Sequence, residues 1–172
     1  MSSRPTGATA IRPTGTTVMH PTGTTAIRPT GAAATRPTAV PAWPLQSFLR
    51  LAPAAASVST ARRLSRQALT MWDLDPYPAE LVVSELVTNA VQASLALAEP
   101  QPVRLWLAAD RPRVAIGVWD GNPNPPLLAP TAETDERGRG LCLVEALSAA
   151  WDWYPHDGGK VVHARLEPDP RA

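Results

Sequence analysis

The sequence predicts an α/β (α+β) two-layer sandwich over residues 43–168, with a mixed, mainly antiparallel sheet and its helices on one face. Three observations predict it. Successive strand-length runs are separated by short turns, three apolar-periodic segments read as helices, and a 172-residue chain that is 44% hydrophobic supplies one core of roughly 120 to 130 residues.

The elements follow in order. Leu45 to Leu51 reads as a first strand. Ser57 to Trp72 is an amphipathic helix, with Ser57 or Ser59 as its N-cap. Ala79 to Ala98 is a long Pro-free helix, apolar almost all round except for Glu85, Thr88, Asn89 and Gln92. Those four trace a single polar stripe, because residues three, four and seven apart share one helix face. A helix this apolar is expected to be buried, and a buried Glu needs compensation. Strands are expected at Val103 to Ala108 and Arg113 to Trp119, the second leading into Asp120-Gly121-Asn122. Gly138-Arg139-Gly140 opens an apolar-periodic helix from Leu141 to about Ala150. Two last strands, Trp151 to Tyr154 and Lys160 to Leu166, flank the turn Asp157-Gly158-Gly159.

Three stretches carry candidate chemistry. Glu85 and Asn89, one turn apart, can reach one ligand, and an Asn oxygen beside a Glu suits magnesium, which takes oxygen ligands and borrows the rest from water and phosphate. Asp120 at a strand exit can accept a hydrogen bond from an exocyclic amine, while Gly121 and Asn122 let a flat ring approach the backbone. Gly138, Arg139, Gly140 and Leu141 open a helix whose free N–H groups can meet phosphate oxygens. Each has an ordinary structural alternative as well: a solvated helix stripe, a turn, and a Gly-rich helix entry.

Together and in this order, the three resemble the N box and the two glycine boxes of the GHKL ATP-binding superfamily, which includes gyrase, MutL and the histidine kinases. Within it the chain resembles the anti-sigma-factor serine kinases of the RsbW and SpoIIAB type in their actinobacterial form. The matching residues are ELVTNA at Glu85 to Ala90, GRGLCLV at Gly138 to Val144, Trp151, and GGKVVHARL at Gly158 to Leu166. The resemblance spans about residues 45 to 168 and implies the Bergerat fold, ATP and Mg2+ as cofactors, and a division of labour. Asn89 holds the metal, Glu85 is the catalytic base, Asp120 reads adenine beside Asn122, and Gly138 to Leu141 wrap the phosphates. It further implies an anti-sigma factor serine/threonine kinase that phosphorylates an anti-anti-sigma (STAS) protein and sequesters a sigma factor, with a homodimer as a possible state. The alternative is an ATP-dependent binding module that sequesters its partner with little or no transfer.

The chain departs from that pattern at four places. Gln92, Ala93 and Ser94 follow the N box where many relatives carry a basic residue and then His, and Asn122 replaces a common Gly. Lys160-Val161-Val162 stands where a Thr often lies near the adenine carboxylate, and His163 where Trp is frequent. Pro123 to Arg137 is the expected ATP lid, irregular because of Pro123, Pro125, Pro126 and Pro130. A sensor histidine kinase is disfavoured, because the histidines are His20, His156 and His163 and none stands on a helical hairpin before the boxes.

Residues 1–42 form a different kind of segment. Arg4-Pro5-Thr6-Gly7 recurs with a period of eight at Arg12, His20 and Arg28, and as a degenerate copy at Arg36. Rich in Pro and Gly and poor in core-forming residues, this tail is expected to be disordered, and residues 169–172 are read as a short C-terminal tail. The tail carries +4 and the remainder −3, a balance that could meet an acidic partner or its own domain, but four charges over about forty residues are sparse and the tail is read first as a neutral linker or repeat expansion. Four charges without interleaved aromatics argue against nucleic acid. No membrane partner is expected, since no apolar run reaches membrane-spanning length and the start lacks an apolar secretory core. A single Cys, Cys142, reads as a small buried residue, and the cytoplasm is the expected compartment. Trp106, Trp119, Trp151 and Trp153 read as packing residues, Arg62, Arg63 and Arg66 as a solvated helix face, His156 as exposed and His163 as structural. No Cys or His stands at zinc-site spacing.

Overall fold

The computed structural model describes residues 43–126 and 139–167, so the expectations for the 1–42 tail, most of the lid, Gly138 and the C-terminal tail lie outside the described residues. The elements are β1 (Leu45–Leu51), α1 (Ala56–Met71), α2 (Tyr77–Leu95), β2 (Val103–Asp110), β3 (Arg113–Asp120), α3 (Arg139–Leu147), β4 (Ala150–His156) and β5 (Gly159–Leu166). The sheet order is β1-β2-β3-β5-β4, and every neighbouring pair is antiparallel.

Alternation sorts each strand into two faces. Leu105, Leu107, Ile116, Val118, Val162 and Ala164 point into the core, where Val82, Val83, Leu86 and Val87 of α2 meet them. Each such Leu, Ile or Val side chain contributes about 1.5–3 kcal/mol when fully buried. The helices lie on that face, with α2 in the middle, packed against the sheet and flanked by α1 and α3. The opposite face of the sheet carries Phe48, Trp106, Val161 and His163 and no helix among the described residues.

Helix ends differ from expectation for local reasons. Neither Ser57 nor Ser59 caps α1, because their hydroxyls donate to the Ala52 carbonyl at 2.7 Å and the Ala56 carbonyl at 2.9 Å. Its far end closes in a Schellman arrangement, with the Leu74 N–H on the Leu69 carbonyl, the Asp73 N–H on the Thr70 carbonyl, and Asp73 at φ 57°. α2 begins two residues early, where Pro78 sits in the first turn and the Asp75 carboxylate accepts the Tyr77 N–H at 3.0 Å. The β4–β5 turn has Asp157 and Gly158 both at positive φ, as a tight two-residue hairpin requires.

Four side-chain expectations need correction. Arg66 is no free solvated residue: its guanidinium grips the buried Glu80 carboxylate through two bonds of 2.5 and 2.7 Å, tying α1 to α2. Cys142 is exposed, because the α3 stripe facing the core is formed by Leu141 and Val144. His156 is half-buried, and Trp106 lies half-buried on the open sheet face and not in the core. Trp119, Trp151 and Trp153 are buried packing residues, as expected.

His163 sits on the open face opposite Asp152, with the Tyr154 ring at 5.7 Å and Gly117 beside it. Burial holds its pKa below the ordinary 6.5, against the opposing pull of the Asp152 carboxylate. The unfolded chain therefore binds the extra proton first, and stability falls as the pH drops below about 6.5. Chemical denaturation at a series of pH values should show this slope, and His163→Gln should flatten it.

Candidate functional site

Glu85 and Asn89 lie on one face of α2, both half-buried rather than sealed in the core as the all-round apolar pattern suggested. The reason is the position of α2: sheet, α1 and α3 cover its apolar sides and leave the polar stripe at the α3 flank. Gln92 at the end of the stripe is exposed. Thr88 is turned back on its own helix, its hydroxyl donating to the Ser84 carbonyl at 2.7 Å.

Glu85 faces the start of α3. A Cβ built on Gly140 would stand 2.4 Å from Glu85 Oε2, so only glycine leaves room for this carboxylate against the first turn of the helix. Arg139 begins α3 and Leu141 is 6% exposed, anchoring that turn in the core. The N-terminal end of α3 thus meets the acidic end of the α2 stripe.

Asp120 closes β3 and is 2% exposed. Its Oδ1 accepts a hydrogen bond from Lys160 Nζ at 2.8 Å and another from the Asn122 N–H at 2.9 Å. Burial raises the Asp120 pKa above the ordinary carboxylate value of 3.8, while Lys160 and the Asn122 N–H pull it back down. Lys160, itself buried, donates also to the Asn122 carbonyl at 3.0 Å. The antiparallel register explains the pairing, since Asp120 stands directly opposite Lys160. Val161, the next residue, points to the other face, so the departure that touches Asp120 is Lys160.

The strand ends are fixed closely. A Cβ on Gly159 would fall 1.9 Å from the Asp120 carbonyl oxygen, so β5 can lie against the Asp120 turn only with glycine there. Trp119 donates its indole N–H to the His156 carbonyl at 2.8 Å, and the Arg104 guanidinium lies 4.1 Å above its ring while pairing with Asp157 at 2.8 Å. Asn122 donates its side-chain amide to the Ala93 carbonyl at 3.2 Å and accepts the Asn124 N–H at 3.0 Å. Its side chain therefore ties the Asp120 turn to the last turn of α2.

These contacts set the layout. The Asp120 turn meets α2 at Ala93, and α3 meets α2 at Glu85, eight residues and about 12 Å further along the helix axis. Asn89 lies midway. One end offers a buried carboxylate for a base, the other a carboxylate beside a helix N-terminus, with an amide oxygen between them: the order in which a nucleoside triphosphate presents base, metal and terminal phosphate. Glu85 and Asn89 supply hard oxygen donors, and the described residues contain no cluster of three or more His, Cys, Asp or Glu. Such a donor set fits a metal that takes its remaining ligands from phosphate and water.

Sequence reasoning missed Lys160 and Glu80. The signal for Lys160 was the hairpin turn at Asp157-Gly158, which fixes the register of β5; for Glu80 it was an acid on the core-facing side of an apolar helix.

The family model of the histidine kinase-like ATPase domain matches residues 51–166. None of the curated proteins matches the chain. Among solved structures, the RsbU and RsbW domains of Rv1364c from Mycobacterium tuberculosis share its fold with a TM-score of 0.55 and 19% identity, over 71% of this chain and 32% of that one. The chain therefore spans about a third of the length of that structure. No helix among the described residues is long and apolar enough to cross a membrane.

Proposed function

From the chain's membership in the histidine kinase-like ATPase (GHKL) family, we propose that it is an anti-sigma factor serine/threonine kinase that binds Mg-ATP, phosphorylates an anti-anti-sigma (STAS) protein and sequesters a sigma factor. The observation that supports this reading best is the layout along α2, with Asp120 and Asn122 at the Ala93 end and the Glu85 carboxylate against Gly140 at the other. The fold shared with the structure of the RsbU and RsbW domains of Rv1364c supports the choice of branch.

In this reading the roles follow position. Asp120 accepts a hydrogen bond from the adenine amine, through Oδ2 because Oδ1 is held by Lys160. Asn89 contributes its oxygen to the magnesium ion, which would neutralise phosphate charge. The stretch Gly138, Arg139, Gly140 and Leu141 wraps the terminal phosphates through its backbone. Glu85 accepts the proton of the acceptor Ser or Thr hydroxyl as its oxygen attacks the terminal phosphorus and ADP leaves. The proposed compartment is the cytoplasm, where a sigma factor and its antagonists reside.

Calorimetric titration with ATP, with and without Mg2+, tests the site, and radiolabel transfer to the STAS protein of the same gene neighbourhood tests the activity. Absence of ATP binding would overturn the proposal. Asn89→Ala should weaken Mg-ATP binding by about tenfold or more, a loss of roughly 1.4 kcal/mol, and metal-free ATP much less. Equal losses would assign Asn89 to the helix and not to the metal.

A second reading, an ATP-dependent sequestering module with little or no transfer, is favoured by one observation. The buried Lys160 already occupies one oxygen of the carboxylate that would read the base. ATP binding without label transfer would select it.

A further inference from the structure

Of the sixteen Lys and Arg residues in the chain, fifteen are arginine, and the one lysine, Lys160, is buried at the end of the sheet. A guanidinium is a planar fork, whereas an ammonium is a compact centre with three donors. Lys160 Nζ uses two of them, on Asp120 Oδ1 at 2.8 Å and on the Asn122 carbonyl at 3.0 Å, and makes no third hydrogen bond among the described residues. The residue is 4% exposed, and a donor left unpaired at that depth is costly. Asp120 is in the converse position. Its Oδ1 accepts from both Lys160 and the Asn122 N–H, while Oδ2 accepts from none of the described residues.

We infer that Lys160 is a second base-reading residue, whose remaining N–H donates to the ring nitrogen N1 of adenine while Asp120 Oδ2 accepts from the neighbouring exocyclic amine. The inference rests on the proposed role of Asp120 as the adenine contact and goes beyond it by assigning the residue at its side. The ion pair places one unused donor next to one unused acceptor. Adenine presents the matching edge, a donor amine and then an acceptor nitrogen. Guanine and hypoxanthine reverse both atoms: a carbonyl oxygen would face the carboxylate and an N1–H would face the ammonium, so each polar group would be left unpaired. A carboxylate alone reads only the amine. With Lys160 beside it, two adjacent atoms of the ring are read.

The pair is also held ready. Lys160 stands opposite Asp120 in the β3–β5 register, and Gly159 lets β5 lie directly against the Asp120 turn. Two existing bonds fix the Lys160 side chain, so reading the base orders no further rotamers. The bond to N1 is charge-assisted and shielded from water, which places it among the stronger kinds of hydrogen bond.

Base analogues test this on the full chain by calorimetric titration with Mg2+ present. 1-Deaza-ATP keeps the amine and carries a C–H in place of N1, and it should bind about tenfold or more weakly than ATP. Purine riboside triphosphate keeps N1 and lacks the amine, so it reports on Asp120 separately. In Lys160→Met, which retains an apolar stem without the ammonium, ATP and 1-deaza-ATP should bind within about twofold of each other. Should that variant fail to fold, the wild-type chain identifies the group by itself. Labelling with [ζ-15N]lysine marks a single ammonium, because Lys160 has no other lysine beside it in the sequence, and its nitrogen signal should move on adding Mg-ATP and much less on adding Mg-1-deaza-ATP. Equal affinity of the wild type for ATP and 1-deaza-ATP would overturn the inference, and weak binding of purine riboside triphosphate in the same series would leave the role of Asp120 standing. A gap that persists in Lys160→Met, or an ammonium signal that responds alike to both nucleotides, would give N1 to another group and overturn it as well. Absence of ATP binding would remove both the inference and the adenine site on which it rests.

Discussion

Glu85→Gln should lower phosphoryl transfer to the STAS acceptor by about 10^2- to 10^4-fold, the range that a positioned general base contributes, and leave Mg-ATP affinity nearly unchanged. Glutamine keeps the size and hydrogen-bonding shape of the side chain but cannot take the acceptor's proton. The position of Glu85 makes a companion variant informative. In Gly140→Ala the new methyl would occupy the space of Oε2, and because this is the free end of a flexible side chain, the carboxylate moves before the backbone does. Gly140→Ala should therefore reduce transfer with little loss of stability. Single-turnover transfer of radiolabelled phosphate, beside calorimetric ATP titration, reads both variants. Transfer by Glu85→Gln at the wild-type rate would remove Glu85 from the base role, and a parallel loss of affinity and rate would make it a binding residue instead.

The order of strands and helices was legible because it rests on local signals. Leu45–Leu51 and Lys160–Leu166 have the strand period, α2 carries a long apolar run with a polar stripe, and Asp157-Gly158 marks a hairpin. The relation between Glu85 and Asn89 could be read for the same reason, since one helical turn fixes it. What could not be read depends on packing between distant segments. Arg66 looked like one of three solvated arginines until α2 brought Glu80 beneath it, and no local pattern announced that the end of α2 would bring the Ala93 carbonyl to the Asn122 amide. Cys142 was misjudged because helical periodicity gives the width of an apolar stripe and not its centre, which Leu141 and Val144 define here. The open sheet face escaped notice for a related reason. Trp106 and Phe48 have the same residue types as core positions, and only the placement of the described helices on the opposite side of the sheet separates them from the core.

Lys160→Ala should cost about 3–5 kcal/mol of stability at neutral pH in the absence of nucleotide, the usual loss when one partner of a buried ion pair is removed. The side chains of Lys160 and Asp120 are 5% and 2% exposed, so neither is rescued by solvent. Without the ammonium, the Asp120 carboxyl is held above its ordinary pKa by burial with only the Asn122 N–H opposing. The folded variant then binds a proton at pH values where the unfolded chain has already released it, so its stability relative to wild type rises as the pH falls. Denaturant midpoints at several pH values measure this slope. ATP supplies the discriminating arm. If Lys160 only buttresses the carboxylate, its removal frees Oδ1 for the base amine, and ATP should raise the melting temperature of Lys160→Ala by more than that of wild type. A smaller shift in the variant would mean that Lys160 itself touches the nucleotide. The occupied carboxylate would then be part of the base-reading device, and the observation that favours the sequestering module over the kinase would disappear.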